Sequence, residues 1–343
     1  MTSKETVEWD KVSDLMNDPN LPISAKQKAE VAEGHNFPFK AGDTVGTIGG
    51  DWYRGDHINF WPSKSNLAED DAVYKFFLKG LVPKEPFIKK TDFITTFGSC
   101  FAANVRAFFY ERGYPIHNPK SHWLPIIHVG EGLNTTFALW QQFAWAWENV
   151  PIDNELWVDA DKKRFTITEE GRLETKEIFD KTDVFILTVG LSEIWYNKLT
   201  DGVFWRGVPR DKFDPNVHGF RVSTVQENYQ NLVHIYQMIR KHRPEAKIII
   251  TLSPVPLIAT FRDIPCTSAS TVSKAILRVA IDQLYQQYKD DPKFFYWPSY
   301  ELVREYEDPG FQADNRHVTN SILKTILGVF DEYYLVKEKT DGR

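Results

Sequence analysis

The sequence predicts an α/β protein: an open, mostly parallel sheet with helices on both faces, extended by an N-terminal segment and long loop insertions. Three observations carry this. Short apolar runs rich in β-branched residues recur at 93–97 (FITTF), 183–189 (DVFILTV) and 247–252 (KIIITL), the composition of strands buried on both faces. Long stretches of helical period accompany them, clearest at 222–242 and 271–290, and parallel strands need crossovers of that length. The runs end in Gly, Ser or Pro with polar residues beside them, and open parallel sheets bind ligands at the carboxyl ends of their strands.

Residues 1–91 read as an extension packed on the main domain, which occupies 92–343. In the extension, 21–31 carries Pro22 and Ser24 near its start, as a short helix would. Residues 37–55 are Gly-rich and alternate, which fits loops or a small hairpin. They contain neither GxxxxGK nor a strand feeding GxGxxG, so they are not a phosphate cradle. Residues 70–79 read as a helical turn or two, and the Pro-containing 82–87 leads into the strand at 93. Gly98, Ser99 and Cys100 follow that strand, then a helical stretch ending near Arg112 with Gly113 as C-cap. Residues 114–117 form a short second strand, and Asn134 or Thr135 caps an apolar helix beginning near Phe137.

Residues 156–161 and 164–168 flank Lys162 and Lys163 and predict a hairpin. The central strand at 183–189 ends in Gly190-Leu191-Ser192-Glu193. Residues 197–221, rich in Gly, Pro, Trp and charge and carrying His218, read as a long loop insertion. Ser223 or Thr224 opens the helix at 222–242. After 247–252 comes a rigid turn, Ser253-Pro254-Val255-Pro256-Leu257, and then the loop 260–270 with Cys266. A helix at 271–290, an aromatic strand at 294–297 broken by Pro298, and a last helix at 320–334 follow.

Composition narrows the function. Lys plus Arg number 41 against 47 Asp plus Glu, for a net charge of -6, and no basic tract suits nucleic acid. The two cysteines, Cys100 and Cys266, are too few for a disulfide scaffold or an all-cysteine metal site. No 18 uncharged apolar residues run together, and the first residues lack a signal-peptide core. The expected location is therefore the cytoplasm, where thiols stay reduced. His117, His122 and His128 lack the short pairs of zinc sites, so no metal and no cofactor is expected.

The organising feature is the elbow at Cys100. A thiol after a strand and at the start of a helix faces unpaired N–H groups that favour a thiolate or an oxyanion. The plain alternative is a core cysteine. Weighing against it, Cys100, Ser192, Ser253, Asp314 and His317 are all assigned to the same sheet rim. Asn134 has donors of the kind an oxyanion site needs, or simply caps its helix.

Gly98-Ser99-Cys100-Phe101-Ala102 spells the motif of the GSCFA-domain family, and the chain resembles that family over roughly residues 93–330. The family is in turn similar to the SGNH (GDSL-like) hydrolases. The resemblance implies an SGNH-like, flavodoxin-like three-layer fold and acyl-ester chemistry. It puts Cys100 at the nucleophilic serine position and Ser99 in place of an Asp. It matches Asp314 and His317 to the Asp-x-x-His block, and Gly190-Leu191-Ser192-Glu193 to a Gly-x-Asn-Asp block with Ser192 at the oxyanion Asn. The remaining block is matched loosely around Gly132 and Asn134.

The implied mechanism has His317 activating Cys100, Asp314 orienting the imidazole, and the Cys100 N–H, Asn134 and Ser192 receiving the oxyanion. Ser99 is the competing nucleophile. Trp195 and Trp205 could stack on a sugar or fill the core; Arg262 and Arg316 could fork onto a carboxylate or phosphate or be solvated; Glu193 joins them as a substrate contact. The expected reaction is hydrolysis of an acyl ester, a small molecule or an O-acetylated carbohydrate. A glycan O-acyltransferase or a non-catalytic glycan-binding scaffold are the alternatives. A regulatory Cys100–Cys266 disulfide is also open.

Overall fold

The computed structural model describes residues 36–41, 44–49, 59–98, 100–116, 135–152, 168–205, 207–306 and 310–337. The helix expected at 21–31 and nearly all of the hairpin expected at 156–168 lie outside them. The chain divides into two compact units, Met1–Lys79 and Gly80–Arg343. In the first, β1 (Asn36–Ala41) and β2 (Thr44–Gly49) pair antiparallel, a hairpin within the alternating Gly-rich stretch. A one-turn helix at Lys64–Leu67 is capped reciprocally: Ser63 Oγ accepts from the Asn66 N–H and Asn66 Oδ1 from the Ser63 N–H.

The second unit is built on four parallel strands in the order β3 (Ile94–Phe97), β4 (Val184–Val189), β7 (Lys247–Leu252), β8 (Phe294–Tyr296). On the free edge of β3, Ile116 bridges Ile94 in parallel and the Ile94 N–H donates to the Pro115 carbonyl. The short strand expected at 114–117 is thus a single bridge. It gives the spatial order of a doubly wound sheet, with the chain reversing direction beside β3.

Helix α1 (Cys100–Glu111) carries the chain from β3 to that edge. Helices α4 (Val225–His242) and α5 (Cys266–Tyr288) carry it the other way, through β7 to β8. Right-handed crossovers running in opposite directions place their helices on opposite faces. Alternate strand residues confirm the layering. Phe97, Phe185, Leu187, Ile248, Ile250 and Phe294 share one core with Leu139 and Phe143 of α2 (Thr136–Glu148), Phe179 of α3 (Glu169–Lys181), Leu232 and Ile239 of α4, and Leu277 and Ile281 of α5. A separate aromatic group, Phe101, Phe109, Trp297 and Phe330, ties α1 to the end of α6 (Asn320–Val329). Truncating one ring in such a core, Phe143→Ala for instance, costs about 3–5 kcal/mol.

Three local readings change. Helix α3 was not anticipated because its sequence is almost wholly polar; Thr168 caps it and Lys176–Asp180 and Glu177–Lys181 pair along it. Helix α5 begins at Cys266, directly after Pro265, so Cys266 is not in a loop. The insertion at 197–221 has structured flanks: β5 (Glu193–Asn197) and β6 (His218–Val222) pair antiparallel from Glu193–Val222 to Asn197–His218. Among the described residues no helix is long and apolar enough to cross a membrane.

Candidate active site

Strand β3 delivers the chain to Gly98, which stands at φ +129°, a conformation that L side chains rarely adopt. A Cβ there would lie 2.7 Å from Thr188 Cβ and 2.8 Å from Thr188 O on β4. Both the dihedral and the close approach demand glycine. The next described residue, Cys100, opens α1 half-buried, at the end of the helix whose first N–H groups have no intrahelical acceptor. Ser99, the competing nucleophile, and Asn134 lie outside the described residues, as do His117, His122 and His128.

The imidazole comes from a tight loop ahead of α6. Phe311 bridges Val318 antiparallel, the Gln312 N–H donates to the His317 carbonyl at 2.7 Å, and the Asn315 N–H donates to the Gln312 carbonyl at 2.8 Å. Asn315 takes the left-handed turn position at φ +55°, which Asn tolerates better than most residues. Asp314 Oδ1 accepts the Arg316 and His317 N–H groups, each at 3.0 Å, and its Oδ2 is bonded to His317 Nδ1. The Asp314 side chain therefore orients the ring. The imidazole bond, followed by those two N–H groups, holds the Asp314 carboxyl well below the usual carboxylate range.

Cys100 and His317 line one cleft of about 330 Å³, with Asn104, Gln312, Asn320 and Val255 among its other walls. Three segments, the outer two more than two hundred residues apart in the chain, thus line one cleft. Val255 belongs to the Pro-rich turn after β7; Ser253 beside it is buried, its N–H donating to the Val189 carbonyl at 2.8 Å and its Oγ accepting from the Val255 N–H at 3.3 Å.

Ser192 does not join them. It is fully buried, its N–H donates to Ser273 Oγ at 2.9 Å, and its carbonyl accepts both the N–H and the Oγ–H of Ser223 at 2.7 Å. Its peptide groups are committed within the core and cannot receive an oxyanion. None of Glu193, Trp195, Trp205, Arg262 and Arg316 lines the cleft. Trp205 is buried, and Trp195 is packed edge-on against Phe213, Phe220 and Phe261, so neither ring is an open stacking platform. Glu193 is buried, accepts from Thr260 Oγ1 at 2.9 Å, and is pushed upward in pKa by desolvation, which Thr260 and Arg262 partly offset. Arg262 Nη1 and Arg316 Nε are buried without a hydrogen-bond partner among the described residues. Cys100 and Cys266 are both free thiols, and Cys266 Sγ faces the Leu257 carbonyl at 3.7 Å.

Family comparison matches residues 93–330, more than half of the chain, to the GSCFA family. The chain belongs to the GSCFA family. No curated protein matches it. Among solved structures, this GSCFA protein is similar to a GDSL-like lipase from Bacteroides thetaiotaomicron at 11% identity and a TM-score of 0.37, covering 70% of this chain and 86% of the other. A putative platelet activating factor from Streptococcus pneumonia follows at 12% and 0.36, covering 79% and 91%. A carbohydrate esterase family 3 protein from Talaromyces cellulolyticus gives 11% and 0.34, covering 69% and 93%. Likeness at these TM-scores assigns neither activity nor substrate.

The GSCFA cleft also contains residues that sequence reasoning passed over. Asn104 lies four residues after Cys100 on α1 and so shares its face; helical spacing alone could have found it. Gln312 braces the His317 loop, its Nε2 donating to the Val318 carbonyl at 2.8 Å, and no sequence signal marks it. Asn320, the first residue of α6, follows the capping Thr319.

Proposed function

We propose that this GSCFA protein hydrolyses acyl esters through a thioester on Cys100. The observation that carries the reading is the shared cleft: a thiol at a helix amino end and an imidazole held by a carboxylate line the same walls. With Nδ1 engaged by Asp314, Nε2 of His317 is the nitrogen left to exchange a proton. His317 takes the thiol proton and the sulfur attacks the ester carbonyl, forming a C–S bond. The negative charge on the carbonyl oxygen is received by the free N–H groups at the start of α1. The C–O bond then breaks as His317 protonates the departing alcohol. Water, deprotonated by His317, attacks the thioester, releases the carboxylic acid and restores the thiol.

An acceptor hydroxyl in place of water would make the same half-reaction a transfer. The O-acetylated carbohydrate expected from the sequence loses its two aromatic platforms to burial and packing, so the proposal is for an acyl ester without a sugar requirement. Intact-protein mass spectrometry after exposure to p-nitrophenyl acetate tests it. Wild type should gain one acetyl group, Cys100→Ala none, and His317→Ala should acylate about 10²-fold more slowly or worse. Equal acylation of wild type and His317→Ala would sink the activated thiol, and no acylation of wild type would favour a binding role.

A further inference from the structure

We propose that a groove between α1 and α6 receives the acyl chain of the substrate, and that the chain is a hydrocarbon longer than acetyl. The inference rests on the reading that Cys100 acts on an ester. The groove is a second cleft of about 430 Å³ that shares Asn104 and Leu323 with the walls around Cys100 and His317. The two clefts therefore adjoin at Asn104 and Leu323, and the chain of an acyl group on Cys100 Sγ would enter the groove past Asn104.

Its floor is apolar, with Asn104 at the mouth and Glu111, Lys324, Arg112 and Asp331 along its rims and far end. Phe108 is buried and Leu323, Leu327 and Gly328 are half-buried between exposed Glu111 and Lys324. Along α1 the groove runs from Asn104 to Glu111, about 10 Å at 1.5 Å per residue. Its far end is spanned by Arg112 and Asp331, bonded Nε to Oδ1 at 3.3 Å and Nη2 to Oδ2 at 3.0 Å. The Arg112 guanidinium also lies 3.7 Å from the Phe108 ring centroid. That cation is already neutralised and stacked, so the end offers no free charge to an anionic tail.

Gly328 keeps the groove open. It sits inside α6, where glycine is a poor helix former, and nothing lies within 4 Å of where its Cβ would stand. A larger side chain there projects into space rather than into backbone, so the helix can keep its place while the groove fills.

The experiment compares p-nitrophenyl octanoate with p-nitrophenyl acetate on wild type, Gly328→Ala, Gly328→Leu and Ala107→Phe, the last filling the groove from α1. Binding of octanoate to each protein is measured by calorimetry, and folding by thermal melting. The octanoate-to-acetate ratio of kcat/KM should fall about tenfold or more in Gly328→Leu and Ala107→Phe, with a smaller fall in Gly328→Ala, and octanoate affinity should drop in step. Unchanged ratio and unchanged octanoate affinity in folded Gly328→Leu and Ala107→Phe overturn the groove. If wild type hydrolyses neither ester, the hydrolase reading fails by itself; octanoate binding that Gly328→Leu abolishes would then still uphold the groove as the hydrocarbon site.

Discussion

Two strand ends of one sheet invite comparison. Strands β3 and β4 lie side by side in parallel, and each is followed by glycine and serine, Gly98-Ser99 and Gly190-Leu191-Ser192. After β3 the chain turns straight into α1, leaving Cys100 half-buried on a cleft wall. After β4 it runs into the β5–β6 hairpin, and α5 packs over the end. Ser192 is then enclosed by Ser223 and Ser273, Asn228 donates to Ser223 Oγ at 2.7 Å, and Thr136 donates to Asn228 Oδ1 at 2.8 Å. Lys274 Nζ, itself buried, donates to the Gly190 carbonyl at 2.8 Å. Polar residues at a strand end are available to a ligand where donors stay unpaired and solvent can enter. Where a helix covers them, each must find a partner inside, and the same residue types become structure.

The sharpest way to break this contrast is at the open end. Asp314→Asn leaves the loop similar in shape but disturbs the proton on His317 Nδ1. The ester kcat/KM should fall about 10²–10⁴-fold with little change in melting temperature. For the wild-type protein the sign follows from the depressed carboxyl: the stability from the Asp314–His317 pairing is fully present above the ordinary Asp value of about 3.9 and is lost as pH falls from there through the lower folded value. Activity that survives Asp314→Asn intact would separate the loop from the chemistry.

The elbow should be nearly as intolerant, through stability as well as rate. Gly98→Ala combines an unfavourable positive φ with contact against the Thr188 backbone, so urea unfolding should show a loss of about 1–3 kcal/mol or more. A wild-type midpoint would show that β3 and β4 yield there.

At the closed end the effect should fall on folding alone. Asn228→Ala removes bonds to Ser223, Thr224 and Thr136 in a fully buried setting, an expected loss of about 1–3 kcal/mol. Acylation of Cys100 in the folded fraction should proceed at the wild-type rate; a large slowing would mean the buried network reaches the cleft.

The subtlest test is the pH dependence of Lys274. Burial pushes its amine down to about 7. The unfolded lysine still carries its proton between about 7 and its ordinary value near 10.4, where the folded one does not, so stability from this residue rises with pH across that window. Denaturant titrations at pH 7 and pH 10 should show that rise in wild type and its loss in Lys274→Met. Parallel changes in both proteins would contradict it.

Legibility followed the range of the interactions. The strands at 93–97, 183–189 and 247–252 and the helix at 222–242 were readable because burial imposes a period on neighbouring residues. Thr224, with its reciprocal Glu227 cap, could be narrowed to two residues. The Asp314–His317 pair was equally readable, since both groups belong to one four-residue turn. Helix α3 was not, because only Phe179 and Thr175 turn fully into the core, with Ile178 partly buried beside them, while most of its other residues are charged or polar. Ser192 misled for a different reason: its family-like spacing is local, while the partners that bury it come from the turn after β6 and from α5.

What the amino-acid order determined by itself was the alternation of buried strands with long helices, the glycine elbow ahead of Cys100 and the Asp314–His317 turn, because each depends on residues within a few positions of one another. Tertiary packing alone decided that the thiol and the imidazole share a cleft, that Trp205 and Ser192 are sealed away, and that a second groove beside Gly328 adjoins that cleft. Those outcomes depend on which distant helix settles over which strand end, and whether a polar group is left open or paired is a property of that covering surface rather than of the residue.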